Sequence, residues 1–197
     1  MITDVIDHLA GITPGSPLDR LRDRRPDARE HAQRAFDALF SPDEEGEVTL
    51  VERDAVAAFV AGLHQDHAAA GFYTGRLADL APGLVPAVSA EVAAGRVKGP
   101  YGVYPDGPLA AESEVGPRYR VHDPEALGER LTAAFEHAHL LVFRPREASG
   151  DDLDALAEHG WGPTGVVTLS QLVAFLSFQT RVVAGLRLLG QKGTATS

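Results

Sequence analysis

The sequence contains no cysteine, which excludes disulfides, thiolate metal ligands, cysteine nucleophiles and all thiol redox chemistry. It is also poor in basic residues. Lys and Arg number 18 against 28 Asp and Glu, a formal charge of −10, so a broad phosphate-binding face would require local clustering of the few cations. The one basic run is Arg20, Arg22, Arg24, Arg25, Arg29 and Arg34, and Asp19, Asp23, Asp27 and Glu30 interleave with it. Such a mixture reads as a solvated helix face or an arm lying on a neighbouring subunit, and no nucleic-acid partner is expected. No apolar stretch approaches the roughly 18 residues needed to cross a bilayer. The longest candidate, Leu169 to Leu189, is broken by Ser170, Gln171, Gln179, Arg181 and Arg187, so no membrane association is expected. Met1 to Ala10 carries Asp4, Asp7 and His8 and lacks the layout of a secretory signal, and the expected location is cytoplasmic. Glycine-rich phosphate loops and serine nucleophile elbows are absent, and no cofactor is expected.

What is present is ordinary globular composition, 44% hydrophobic and 23% charged. Residues 1–25, with Pro14, Gly15 and Pro17, read as an N-terminal arm that is extended from Thr13 onward. Pro26 can then open a helix that runs to about Phe40. Thr49 followed by Glu52 fits a capping box, and the helix it opens is apolar nearly all round from Ala55 to Leu63, with an expected end near Phe72. Further helices are expected over Gly75–Leu80 and Leu84–Val97, separated by a turn at Pro82-Gly83. Residues 99–121 hold four prolines, four glycines and three tyrosines up to Arg120 and read as a long loop. Asp123-Pro124-Glu125 opens the next helix. Ser149 with Asp152 opens a short one that Gly160 can close, and Thr164 to Leu189 forms a long last helix before a tail at 191–197. No strand-type alternation occurs, so the expected fold is all-α.

Several pieces of the chain resemble the alkylhydroperoxidase D (AhpD-like) and carboxymuconolactone decarboxylase superfamily. Thr49 to Ala57 is similar to the helix opening before that family's active-site motif. Leu127 to Pro145, Leu153 to Leu156, His159-Gly160-Trp161 and Val166 to Leu186 are similar to its last helices. The arm from Asp4 to Pro17 looks like the start of a branch that lacks the peroxidase motif. The resemblance implies two related helical halves, residues 26–98 and 122–190. It also implies a homo-oligomer with sites near subunit boundaries. Peroxidase members carry a Glu, a Cys-x-x-Cys pair and a His; the same spacing here holds Asp54, then Asp66 and Ala69, then Tyr73. The positions are kept and the thiols are not, which removes peroxidase activity.

The expected site follows from those positions. On a helix continuing past Leu63, the small Ala69 would leave a hollow beside Asp66 and Tyr73. These two, with Asp54, would form an acid/base pocket for a small organic acid or lactone, assisted by His67 or His139. The alternative reading is a non-catalytic binding or accessory protein working beside a cysteine-bearing relative. A hollow lined by Asp66, Tyr73 and a histidine favours the first; one filled by side chains favours the second. His64 and His67, sharing a face at i, i+3, are weak metal candidates. Zinc wants a third ligand, and His137 and His139 point about 200° apart on a helix, so no metal is assigned. Glu52 is accounted for by its capping box. Arg181 interrupts an apolar stretch of the last helix; facing inward it needs a carboxylate or a ligand anion, and the favoured reading is an ion pair joining two helices or two subunits, while Trp161 should anchor the core or an interface.

Overall fold

The structure, a computed structural model, describes the backbone of residues 2–194 and the side chains of residues 2–191. Among these residues there are ten α-helices and no strand, and the fold is all-α. The helices are α1 (Val5–Ala10), α2 (Pro17–Arg22), α3 (Pro26–Phe40), α4 (Leu50–Leu63), α5 (His67–Leu80), α6 (Val85–Gly95), α7 (Pro124–Leu127), α8 (Glu129–Phe143), α9 (Gly150–Glu158) and α10 (Pro163–Thr194). The only ladder-like pairing among the described residues is a single antiparallel bridge between Gly102 and Glu114 in the long loop.

The middle of the fold is α4, as its unbroken apolar character requires. Every residue from Arg53 to Leu63 is buried, and α5, α6, α8 and α10 pack around it. Its start is the capping box: the Thr49 hydroxyl accepts from the Glu52 amide at 3.2 Å, and the Glu52 carboxylate accepts from the Thr49 amide at 2.8 Å. Phe59 stacks on Phe135 of α8 with ring centres 4.3 Å apart. Close approach of α6 depends on Gly62, where a Cβ would sit 2.6 Å from a methyl of Val92. The one cation inside α4 is satisfied without a carboxylate. The Arg53 guanidinium donates to the carbonyls of Val48, Leu39 and Glu45 at 3.0, 2.8 and 2.8 Å, tying the end of α3 and the following turn to the core.

Several boundaries differ from the sequence reading. The expected helix from Leu50 to Phe72 is two helices, broken at His64-Gln65-Asp66. Gln65 lies in the left-handed region at φ 57°, and the Asp66 carboxylate caps α5 by accepting from the Ala69 amide at 2.9 Å. His64 and His67 therefore do not share a helix face. The apolar pattern hid the break, because it continues on both sides while only the cap changes direction. The helix expected from Asp123 is split at Gly128, whose φ of 77° turns the chain between α7 and α8. The last helix runs past Gly190 to Thr194. Residues 191–194 of the expected tail are thus helical, and its remainder lies outside the described residues. The N-terminal arm is not extended: Ser16 caps α2, and Arg22 and Arg29 clamp Asp4, Asp7 and Asp19, with Arg29 Nε 2.8 Å from Asp4 and Arg29 Nη1 2.9 Å from Asp19. The basic run thus holds the chain's own first helices against α3.

α10 is the long strut of the molecule and packs against α1, α4 and α8. Its N-terminus receives the Glu47 carboxylate, which accepts from the Gly165 amide at 2.7 Å. Gly162 leaves room for that carboxylate, since a Cβ there would lie 2.7 Å from it. By length and composition Pro163–Gln191 is the one described helix apolar enough to cross a bilayer, but Leu169, Leu172, Val173, Leu176 and Val183 on one side of it lie in the core. Arg181 does not face inward as expected. It is exposed and donates to the Ser177 carbonyl at 3.1 Å, because its position falls on the outer side of the helix. Trp161 is buried as expected, its indole N–H donating to the Arg130 carbonyl at 3.0 Å and its ring under the Arg130 guanidinium at 4.3 Å.

Candidate functional site

The residues singled out from the sequence are dispersed into separate pairs. Asp66 is 8% exposed, and besides capping α5 it accepts from Arg187 Nη1 of α10 at 2.8 Å. Tyr73 is fully buried, its hydroxyl donating to Gln179 Oε1 at 2.7 Å and its ring 5.0 Å from those of Phe40 and Phe72. Burial pushes the Tyr73 phenol far above its ordinary range. Ala69 is also fully buried. No surface of Ala69 or Tyr73 is open to a water-sized molecule, so the hollow expected between them is filled.

Asp54 is likewise fully buried and is held by Arg76, with Nε 2.7 Å and Nη2 3.3 Å from its two oxygens. Burial raises its pKa above the ordinary carboxylate value, and Arg76 offsets part of that rise. His67 is exposed in the first turn of α5. His64 is half-buried, with Nε2 3.1 Å from Ser177 Oγ. Burial and the nearby Arg181 bring its pKa down to about 4, against a smaller upward pull from Asp66. No set of three His, Asp or Glu side chains able to hold a metal occurs among the described residues.

His139 belongs to a different place. It is buried on α8, stacked 4.6 Å from the Tyr119 ring, and its Nε2 lies 2.9 Å from the Gly95 carbonyl. A carbonyl can only accept, so Nε2 carries the proton. His139 lines a cavity of about 300 Å³ bounded by α8, α9 and the strap at residues 118–120. It also lines a second cavity, of about 310 Å³, on the other side of that strap. Tyr119 holds the strap between them: its hydroxyl donates to the Glu91 carboxylate, a buried side chain that also accepts from the His122 and Asp123 amides at 3.0 and 3.1 Å.

Residues beside the first cavity carry most of the buried polar atoms that lack a partner, though those atoms themselves have almost no accessible surface. Among the described residues, five buried side-chain polar atoms have no hydrogen-bond partner. Four of them, Thr132 Oγ1, both ring nitrogens of His137 and Nε of Arg144, belong to residues that line this cavity. Burial normally demands a partner for each such atom, and His137 and Arg144 are only 5% and 6% exposed. Burial lowers the His137 pKa against a weaker upward pull from Asp152, so its ring is neutral near pH 7. The two carboxylates in the wall are engaged unequally, both oxygens of Glu136 having partners while the Ser149 donors meet Oδ2 of Asp152 alone. Glu136 pairs with Arg120 and accepts from the Val121 amide at 3.1 Å, and Asp152 accepts from the Ser149 amide and hydroxyl at 2.9 and 2.8 Å. Arg118 stands exposed at the wall of both cavities.

Of this group, His139 was singled out from the sequence as a site residue, and His137 was weighed only as a further metal ligand. A signal for the others exists in α8 itself. Ala133, His137 and Leu140 follow one another at intervals of four and three, so a histidine sits between apolar residues on one face of α8, with Arg144 at its C-cap. Arg118 and Asp152 reach the cavity from a loop and from α9, which no local spacing reveals. The chain matches no family model and no curated protein sequence. Fold and site together define a class: an all-α protein with a cavity of mixed polar and apolar lining and no cysteine.

Proposed function

We propose that the chain is a small-molecule-binding protein whose site is the cavity between α8 and α9. The observation that carries this reading is a concavity of about 300 Å³ whose wall sets Arg118, Glu136, His137 and Asp152 beside apolar groups, the mixture of apolar lining and a few polar groups that small-molecule sites show. On this reading the chain is a thiol-free relative of the alkylhydroperoxidase D and carboxymuconolactone decarboxylase superfamily, built on two helical halves and working in the cytoplasm. Its uniform helicity and the capped opening of α4 support that kinship.

The acid/base alternative at Asp66 and Tyr73 draws its support from family position alone. Against it stands the engagement of both groups, one by Arg187 and the Ala69 amide, the other by Gln179. Titration with a library of small polar compounds, followed through alanine and threonine methyl signals, separates the two sites. Shifts at Thr132, Ala133 and Ala155 are the expected result. Shifts confined to Ala69 and its neighbours would return the site to the α4–α5 junction and overturn the proposal.

The proposal extends to assembly. The outward side of α10 carries Val167, Gln171, Ala174, Phe178, Arg181, Gly185 and Leu188, all exposed, at alternating steps of four and three. That is the 3.5-residue repeat of a helix seam. Laid antiparallel on a second copy about Phe178, the seam sets Val167 against Leu188, Gln171 against Gly185 and Ala174 against Arg181, small residues opposite large ones. A homodimer through α10 accounts for this pattern.

A further inference from the structure

We infer that the Tyr119 side chain is a built-in plug, seated where a small phenolic ligand binds once residues 117–120 lift away. This holds whatever occupies the α8–α9 cavity. Of those four residues only Tyr119 is covered; Pro117, Arg118 and Arg120 are exposed. The arch is fixed at its ends by Gly116, which lies too close to the Tyr101 ring for a Cβ to fit, and by the buried Val121. Among the described residues, 115–122 make no backbone-to-backbone hydrogen bond. Two carboxylates pin the strap instead. Glu91 accepts from the Tyr119 hydroxyl and the His122 and Asp123 amides, and Glu136 accepts from Arg120 and the Val121 amide. A segment held by so few bonds opens at a lower free energy than the core. It also has room to move, since cavities of about 300 and 310 Å³ lie on its two sides, both lined by Tyr119 and His139.

The seat itself defines the ligand. The Tyr119 ring lies nearly parallel to the His139 ring at 4.6 Å and beside Phe59 at 5.7 Å. It passes over Gly95, where a Cβ would come within 3.3 Å of it. At the far end its hydroxyl meets Glu91, a side chain only 1% exposed. Burial and that carboxylate push the phenol far above its ordinary range, so its hydroxyl stays a donor. Flat walls select an aromatic ring, and a buried acceptor selects a ring that carries a hydroxyl. A benzoate would set like charge against Glu91, and a plain hydrocarbon ring would leave that carboxylate one donor short.

The test uses the full chain and p-cresol, the tyrosine side chain as a free molecule, with toluene as its counterpart lacking the hydroxyl. Tyr119→Ala empties the seat. This variant should bind p-cresol saturably, with shifts in the His139 ring signals, about tenfold tighter than toluene, as a hydrogen bond to a buried carboxylate requires. In the parent chain p-cresol must first displace Tyr119, so its apparent affinity should fall by the fraction of open strap, about tenfold to a hundredfold. There the Tyr119 ring signals should shift together with those of His139. Tyr119→Phe keeps the plug without its hold on Glu91, so its affinity for p-cresol should lie above the parent's. That comparison stands even where Tyr119→Ala loses its fold. Toluene matching p-cresol would overturn the phenolic ligand. If Tyr119 of the parent stays unmoved at about a hundredfold the p-cresol concentration that saturates either variant, Tyr119 is a fixed part of the packing and the plug is overturned. Absence of any shift at His139 would overturn it too, and shifts confined to Thr132, Ala133 and Ala155 would then leave the α8–α9 cavity standing as the site.

Discussion

At the scale of single residues, the fold pairs some of its buried charges with opposite ones, gives Arg53 backbone carbonyls instead, and leaves its buried histidines neutral. Asp54 and Arg76 illustrate the first habit: the carboxylate is fully buried, while Arg76 keeps 26% of its side chain exposed and lies 5.3 Å from the Phe40 ring. The neutral histidines have a consequence for acid stability. Burial lowers the pKa of His64 to about 4, and burial also lowers those of His137 and His139. A histidine whose folded pKa lies below its unfolded value of 6.5 binds fewer protons folded than unfolded between those two values. Stability therefore rises with pH across that window and is lost as pH falls from 6.5 toward 4. For His64 the loss should be on the order of 2 kcal/mol, allowing for the water that reaches a half-buried ring. Urea denaturation at several pH values, with His64→Gln alongside, measures it. The variant should show a shallower decline than the parent below pH 6.5, with the remaining slope belonging to His137 and His139; parallel curves would refute the assignment to His64.

At the scale of elements, the junction between α4 and α5 decides how the molecule differs from what its pattern suggests. The apolar run through Leu63 and on to Ala68, Ala69 and Ala70 carries helical spacing across the break. Periodicity alone therefore joined two helices into one. The interruption lies in Asp66, a side chain that prefers to cap a helix rather than sit inside one, and in Gln65, which supplies the left-handed turn. The same residue that looked like a catalytic acid is the cap of α5 and the anchor of Arg187, which also donates to the Leu9 carbonyl at the end of α1. Asp66→Ala should cost about 2–3 kcal/mol, combining a lost cap with a half-buried guanidinium left without its carboxylate. Gln65→Gly should be neutral or stabilising, whereas Gln65→Val should cost about 1–2 kcal/mol, since a branched side chain resists the left-handed region. Denaturation midpoints of the three variants check the set. A Gln65→Gly variant less stable than Gln65→Val would mean that the turn is not formed at that residue.

At the scale of the whole molecule, the class of fold was legible because the chain alternates capped apolar helices with proline- and glycine-rich breaks. Pro26, the Thr49–Glu52 box and the Ser149–Asp152 box all stand where they were expected. The cavity was not legible, because its wall is assembled from α8, α9 and a strap that lies between two helices far apart in sequence. Assembly occupies a middle ground, since the seam on α10 can be read as spacing but only the fold shows which spacing faces outward. Seven residues at steps of four and three are exposed there, with Val167 at 56%, Phe178 at 48% and Leu188 at 60%. Isolated exposed apolar residues are ordinary on a protein surface; here Val167, Ala174, Phe178 and Leu188 share one side of a single helix with Gln171 and Arg181, the side that the proposed dimer would cover. The dimer about Phe178 predicts a mass near twice 20.9 kDa by light scattering at micromolar concentration. Phe178→Glu places two carboxylates against each other at the two-fold axis and should return the chain to a monomer, with its helical circular dichroism unchanged because the side chain lies outside the core. A parent chain that scatters as a monomer, or a Phe178→Glu variant that remains a dimer, would remove α10 as the interface.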